Sequence, residues 1–567
     1  MILPLPCLPG TCRFYLCSLL LGLATVGSPA QAQGFDPVIA YPTVAGTRPY
    51  GLALSDINGD GRLDIVAGDN NANIHTTSIL LGQPGGSFGT ATAYPSVPGS
   101  WDLAVTDVNL DGRPDLVTGC NGVAQAALQL GQPGGGFGAL TTYQTGGGIV
   151  QGIAVGDVTG DGLPDLVVAD MGNSTVNLLR GQAGGFAPTP ITRYSMGPNS
   201  SPFAVALGDL NGDGRLDIVV GNAKSSTIGV LQGQAGGFAP LVTYSAFRNG
   251  SSGNFIPFLG MALADVNADS RLDVVVTTQD TLSSATLGVL LGQPGGLGPI
   301  TYYPAGGLLS NSVAVGDVNA DTWPDLVLAS PRANSVGVFL GYPGGFSAPF
   351  LYFTGTGTVP YAVKLGDVNN DGRPDIVTTN SATSSVGVLL NATPAPLTLT
   401  SPSPSSGALG STISLAGSNL QGAVAVVFEG AGTRSVSSGF AVNAAGTQIT
   451  GVVVPSGAAS GRVRVVTPNG TVTSTTDFSV LTPTAAQSAT PASGLALHPS
   501  PAQTSATLTL AAGPSARAVV VVDALGRVVR QQTLPAQSGT LVLDLARLQP
   551  GLYTVRCGAA TARLVID

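Results

Sequence analysis

Glutamate and lysine are almost missing from this chain of 567 residues. Of its 31 acidic residues one is Glu (Glu429), and of its 22 basic residues two are Lys (Lys224, Lys364). Helical domains draw freely on both types, which are good helix formers. Their scarcity points to an all-β protein with its many Asp residues in turns. Histidine is equally scarce, at His75 and His498. Two His far apart in the chain exclude a two-histidine zinc motif and argue against a Ser-His-Asp site. One Glu leaves no glutamate pair for glycoside hydrolysis. A net charge of -9 with 9% charged residues excludes a nucleic-acid footprint. Long apolar runs are lacking beyond the N-terminus, so no transmembrane segment is expected in the mature chain.

That N-terminal run reads as a secretory signal over 1–32. Arg13 supplies the charge, Phe14 to Val26 the apolar stretch, and Ala30-Gln31-Ala32 the cleavage site. The stretch is short of the roughly 20 residues that a membrane span needs. Cys7, Cys12 and Cys17 leave with the signal. Cys120 and Cys557 remain, far apart, so a disulfide framework is excluded and packing or metal must supply the stability.

What is abundant is Gly, 80 residues, and one nine-residue pattern. It reads DINGDGRLD from Asp56, DVNLDGRPD from Asp107, DVTGDGLPD from Asp157 and DLNGDGRLD from Asp209. DVNADSRLD from Asp265, DVNADTWPD from Asp317 and DVNNDGRPD from Asp367 complete the set. Successive starts are 51, 50, 52, 56, 52 and 50 residues apart. A period near 50 suits one four-stranded propeller blade. Alternating or apolar pieces flank each loop, as in GLALS and DIVAG, and Gly-Gly plus an aromatic follows later. The seventh repeat stops at Leu390-Asn391 without its Gly-Phe strand. That strand stands instead at the start of the mature chain, from Gly34-Phe35-Asp36-Pro37 to Tyr41. Such a permutation closes a ring and removes its open edge.

Oxygen side chains fall at loop positions 1, 3, 5 and 9, with Gly usually at 6. Alternating oxygens on a tight loop converge on one point and suit a hard cation, calcium above all. The expected ligands of the first loop are Asp56, Asn58, Asp60, the Arg62 carbonyl and Asp64. Those of the second are Asp107, Asn109, Asp111, Arg113 and Asp115. The third offers Asp157, Thr159, Asp161, Leu163 and Asp165, and the fourth Asp209, Asn211, Asp213, Arg215 and Asp217. The fifth offers Asp265, Asn267, Asp269, Arg271 and Asp273, and the sixth Asp317, Asn319, Asp321, Trp323 and Asp325. The seventh offers Asp367, Asn369, Asp371, Arg373 and Asp375. The alternative is a β-hairpin turn without metal, since Asn-Gly and Asp-Gly are turn signals by themselves. A turn accounts for the central residues but not for Asp at both 1 and 9. Ser270 and Thr322 replace Gly where a positive φ is expected, so the fifth and sixth loops should bind a cation most weakly.

These repeats resemble the FG-GAP/VCBS repeats of integrin α-subunit propellers and of calcium-containing propeller lectins, over about 33–392. The resemblance implies a seven-bladed β-propeller with up to seven structural calcium ions on one face. Six residues before each loop stand Tyr50, Trp101, Gln151, Phe203, Leu259, Asn311 and Tyr361. At about 3.3 Å per residue they lie near the opposite face, in a ring around the channel. They are a candidate platform for a glycan or protein ligand, or else packing at the strand entrance.

After a Pro/Ser/Thr-rich junction, residues 396–481 resemble an IPT/TIG immunoglobulin-like domain, in SPSPSSGALGSTISLAGSNLQGAVAVVF and TQITGVVVPSGAASGRVRVVTPNG. A linker over 482–493 leads to 494–567, where HPSPAQ, DALGRVV and LDLARLQPGLYTVR resemble a type A sorting domain of type IX secretion. Pro499-Ser500-Pro501 stands where PNP is usual, and Arg563 where lysine is. The fold class expected is therefore all-β, a seven-bladed propeller followed by two small immunoglobulin-like sandwiches. The resemblance implies export to the cell surface or beyond through the type IX machinery. Adhesion or ligand binding is the expected role, with no catalytic constellation visible. A polysaccharide lyase or hydrolase in the central pocket is the alternative, and Asp69 and Asp170, at one repeat position, are its candidates.

Overall fold

The computed structural model describes residues 34–566, except 72, 122, 190, 247–259, 280–284, 306–309, 393–395, 431, 482–494 and 525. Among the described residues every regular element is a strand. The signal segment, the 482–493 linker and Leu259 lie outside them.

Seven four-stranded antiparallel sheets form within residues 34–392 among the described residues. In the first, Pro49–Ser55 runs into the Asp loop, Asp64–Asp69 leaves it, and Thr76–Leu80 and Thr92–Pro95 follow outward. The first strands of successive sheets touch in chain order, and the last, Pro360–Gly366, touches Pro49–Ser55. This closed circuit is that of a β-propeller-type fold. In the closing sheet the fourth strand is Ile39–Pro42, from the chain start. It pairs antiparallel with Ser385–Leu389 through Ile39↔Val388 and Tyr41↔Val386.

The second strand of each sheet is buried on both faces, which explains its unbroken apolar run. Side chains alternate between the two neighbours. Ile65 and Ala67 join Val377 and Val388 of the seventh sheet, while Val66 joins Leu103 and Leu116 of the second. The Gly-Phe and Tyr signals pin these junctions edge to face. Tyr94 meets Phe137 at 5.7 Å, Tyr143 meets Phe186 at 5.5 Å, and Tyr194 meets Phe238 at 5.1 Å. Across the closure Tyr41 meets Phe88 at 5.3 Å, and Phe35 meets Tyr352 at 5.1 Å. Each such pair contributes about 0.5–1.5 kcal/mol beyond its buried area. Cys120 and Cys557 are buried free thiols, so packing of this kind replaces cross-linking.

Residues 34–480 form one compact unit and 481–566 a second. The first therefore includes the two four-stranded sheets of 398–473, which enclose Phe428, Phe478 and Leu415. The second has a three-stranded and a four-stranded sheet around Leu508, Val519, Leu543 and Tyr553.

Candidate functional site

The Asp loops are built from nested backbone turns. Asp56 Oδ1 accepts from the amides of Gly59 at 2.7 Å and Asp60 at 3.0 Å, and Oδ2 from Gly61 at 2.8 Å. Asn58 Oδ1 accepts from Asp60 N, and Asp60 Oδ1 from Arg62 N, both at 3.0 Å. Asp64 is fully buried. Its Oδ2 accepts from Ile57 N at 2.9 Å and its Oδ1 from Gly82 N at 2.7 Å. The ninth-position carboxylate makes this second bond in every loop: Asp115 with Gly131, Asp165 with Gly181, Asp217 with Gly233, Asp273 with Gly292, Asp325 with Gly341 and Asp375 with Asn391. It ties the loop to the turn after the third strand. Gly82 is required there because a Cβ would lie 2.4 Å from the Leu63 carbonyl. The positions 1 and 9 that a bare turn left unexplained thus have a structural use without metal.

The carboxylates of one loop also crowd each other. Burial raises the Asp64 pKa, its two amide bonds lower it, and the charges of Asp60 and Asp56 raise it again. Burial, helped by Asp371 and Asp367, lifts Asp375 to about 6. The donor set is all oxygen and suits a hard cation in kind. As the loops stand, these oxygens face backbone amides, and among the described residues no group of three or more His, Cys, Asp or Glu is arranged to hold a metal ion. Position 6 is left-handed as expected, at φ 67° for Ser270 and 74° for Thr322. Position 4 is left-handed too, at Leu110, Ala268, Ala320 and Asn370, a conformation that the sequence signalled only by Gly59, Gly160 and Gly212 in three other loops.

The sixth loop differs from the first in being covered. Asn319 and Asp321 are 1% exposed and Trp323 is 9% exposed, because the 398–473 sheets cover them. Asn319 Nδ2 donates to the Thr467 carbonyl at 3.2 Å. The Arg434 guanidinium lies 5.7 Å from the centre of the Trp323 ring. Glu429 holds Arg434 at 3.7 Å and Arg464 at 3.2 Å. Burial lifts Asp321 to about 6, with Asp317 adding to the rise and Arg464 opposing it.

At the opposite end, Tyr50, Trp101, Gln151, Phe203, Asn311 and Tyr361 do line one cavity, of about 150 Å3. They do not form an evenly spaced ring. Tyr50 and Tyr361 stack at 3.8 Å and 16°, and Trp101 meets Tyr50, Tyr361 and Phe203 edge-on at 5.1, 5.6 and 6.1 Å. The first strands converge here, so large rings meet across the axis. Burial, with Tyr50 beside it, pushes the Tyr361 hydroxyl far above its usual pKa.

Two further lining residues, Asp102 and Lys364, escaped the sequence reading. A signal existed. Three residues before each loop six repeats carry Ala (53, 104, 154, 206, 262, 314), and the seventh carries Lys364. Five residues before, the others carry Gly, Ala or Ser, and the second carries Asp102. Asp102 Oδ1 accepts from Leu103 N at 2.9 Å and Oδ2 from Ile153 N of the next sheet at 3.0 Å. Burial raises its pKa, while Lys364 and the two amides lower it. Asp69 and Asp170 are not in this cavity. They hold strand ends, Asp69 through Arg48 N at 2.6 Å and Asp170 through Asn173 N at 3.1 Å. The buried Cys120 thiol donates to the Pro98 carbonyl, and burial raises its pKa, which makes it inert.

Residues 56–118, 107–168, 157–220 and 317–378 match the FG-GAP-like repeat, and 496–566 match the secretion system C-terminal sorting domain. The loop at 265–273 falls outside every matched stretch. No curated protein matches the chain. Among solved structures, a Bacteroides fragilis NCTC 9343 protein described as a 6-phosphogluconolactonase aligns at 12% identity and a TM-score of 0.43, over 60% of this chain and 99% of its own. The protein carries FG-GAP-like repeats and a type IX sorting domain, and is secreted or held at the cell surface. No helix among the described residues is long and apolar enough to cross a membrane.

Proposed function

We propose that the protein is an extracellular ligand-binding or adhesion module, a seven-bladed propeller with its ligand in the central cavity. One observation carries this reading. The positions three and five residues before each loop hold small residues almost throughout, yet Asp102 and Lys364 stand there, gathered with Tyr50, Trp101 and Gln151 at one cavity. Calcium in the Asp loops is the proposed cofactor, bound by positions 1, 3, 5 and 9 with the carbonyl at 7, and supplying charge neutralisation alone. The partners proposed are a glycan or protein ligand and the type IX machinery, which reads residues 494–567. Residues 396–481 act as an IPT/TIG-like spacer that also covers the sixth loop.

The test is a glycan-array screen of the full chain beside its Trp101→Ala variant. Binding that the variant loses supports the reading, and equal signals from both refute it. Asp102 and Lys364 in one cavity favour one second reading, a polysaccharide lyase or hydrolase. Shortened products from an incubated glycan, lost in Asp102→Asn, would establish that instead.

A further inference from the structure

We propose that the central cavity takes a carboxylate-bearing sugar ring, a hexuronate at the end of a glycan. This rests on the ligand-binding reading and names its ligand class. Three features of the cavity converge on it.

The first is an unmatched cation. Lys364 lines the cavity on the inner strand Pro360–Gly366. Its ammonium makes no hydrogen bond or ion pair with the described residues, and it acts on Asp102 only through its field. Asp102 does not need it, because both carboxylate oxygens already accept backbone amides. In a chain of net charge -9 with two lysines, one ammonium placed where six repeats have Ala marks a site for an anionic group.

The second is an unmatched acceptor. Gln151 is 7% exposed and lines the same cavity. Its Nε2 donates to Asn121 Oδ1 at 3.4 Å, while Oε1 has no hydrogen-bond partner. A buried carbonyl of this kind calls for a donor, which a ligand hydroxyl supplies. Asn311 and Ser312 add further polar groups at the rim.

The third is shape. A cavity of about 150 Å3 beside Trp101, Tyr50, Tyr361 and Phe203 accepts one ring with an apolar face. Cation, hydroxyl-seeking carbonyl and aromatic wall together describe a sugar acid better than a neutral sugar, a fatty acid or a simple anion.

The experiment is calorimetric titration of the full chain with galacturonate and glucuronate, beside galactose, glucose, benzoate and acetate. Lys364→Ala is the paired variant, since six repeats carry Ala there and the fold accommodates it. The uronates should bind about tenfold or more tighter than the neutral sugars, and Lys364→Ala should erase that margin. Equal affinity for acid and neutral sugars, or an unchanged margin in the variant, overturns the sugar-acid assignment and leaves the binding reading standing. Benzoate or acetate binding as tightly as a uronate overturns the sugar. If none of the probes binds while the glycan array shows a Trp101-dependent hit, the sugar-acid assignment fails. If the array is also blank, the binding reading fails with it.

Discussion

The first and sixth loops share one sequence register and sit in opposite surroundings. Asp56, Asn58 and Asp60 are exposed or half-buried, and Arg62 pairs with Asp60. In the sixth, Asn319 and Asp321 are buried and Trp323 replaces that arginine. The basic groups facing it, Arg434 and Arg464, come instead from the sheets of 398–473, held by Glu429. Water solvates the charges of one loop, and the sheets of 398–473 must do so for the other. The comparison teaches that a repeat specifies its backbone turn, whereas its charge balance is set by what lies over it.

Removal of the ninth carboxylate should have the largest effect, and it should be common to both loops. Asp64→Ala leaves the amides of Ile57 and Gly82 without acceptors, at about 1–3 kcal/mol each. Denaturant unfolding should show a loss of roughly 2–6 kcal/mol, and Asp325→Ala a similar one. A loss below about 1 kcal/mol in either variant would remove the staple from the account.

Next in size is the pH response. Asp321 and Asp375 have folded pKa values of about 6, above the ordinary 3.8. The folded state therefore holds these protons more tightly than the unfolded one. Their contribution is fully present below pH 4 and is lost as pH rises through 6. In chelator, the melting temperature should fall by a few degrees across that window. Calcium, if the loops take it, should flatten the fall and appear in elemental analysis of the desalted protein. An identical pH profile with and without calcium, and no bound metal, would reduce the loops to turns.

Trp323→Ala should separate the two loops, because its indole is buried beneath the sheets of 398–473 and Arg215, at the same position of the fourth loop, is exposed. Loss of the indole should cost about 3–5 kcal/mol and speed protease cleavage within the sheets of 398–473. Arg215→Ala should change stability by less than about 0.5 kcal/mol. Equal cleavage rates in the two variants would show that the sheets of 398–473 do not depend on the sixth loop. Among the changes expected to register, the smallest is a gain. Ser270→Gly and Thr322→Gly relieve a left-handed φ and should each stabilise by about 0.5–1 kcal/mol.

Much of the architecture was legible, for identifiable reasons. Strand content followed from short alternating pieces, and the sheet count among the described residues matches the loop count because each loop joins two strands of one sheet. The cavity-lining positions were half legible. Counting back six residues from each loop found Tyr50, Trp101 and Tyr361, since strand rise is fixed. It gave a ring instead of a stacked cluster, because the distance between opposite strands is not written in the spacing. Asp102 and Lys364 were missed because each is a single residue breaking a small-residue column. That column becomes meaningful only when the strands are known to converge.

Spacing and residue type alone determined the repeats, the turns at the Asp loops and the Gly positions at 6, because these depend on a few consecutive dihedrals and on Cβ sterics. The C-terminal sorting signal was determined in the same local way. Only the tertiary structure decided that the ninth Asp is sealed from water, that the sixth loop lies under the sheets of 398–473, and that an ammonium, an unpaired amide oxygen and four aromatic rings share one cavity. Burial and cross-axis proximity belong to pairs of residues hundreds of positions apart, and no local pattern encodes their distance.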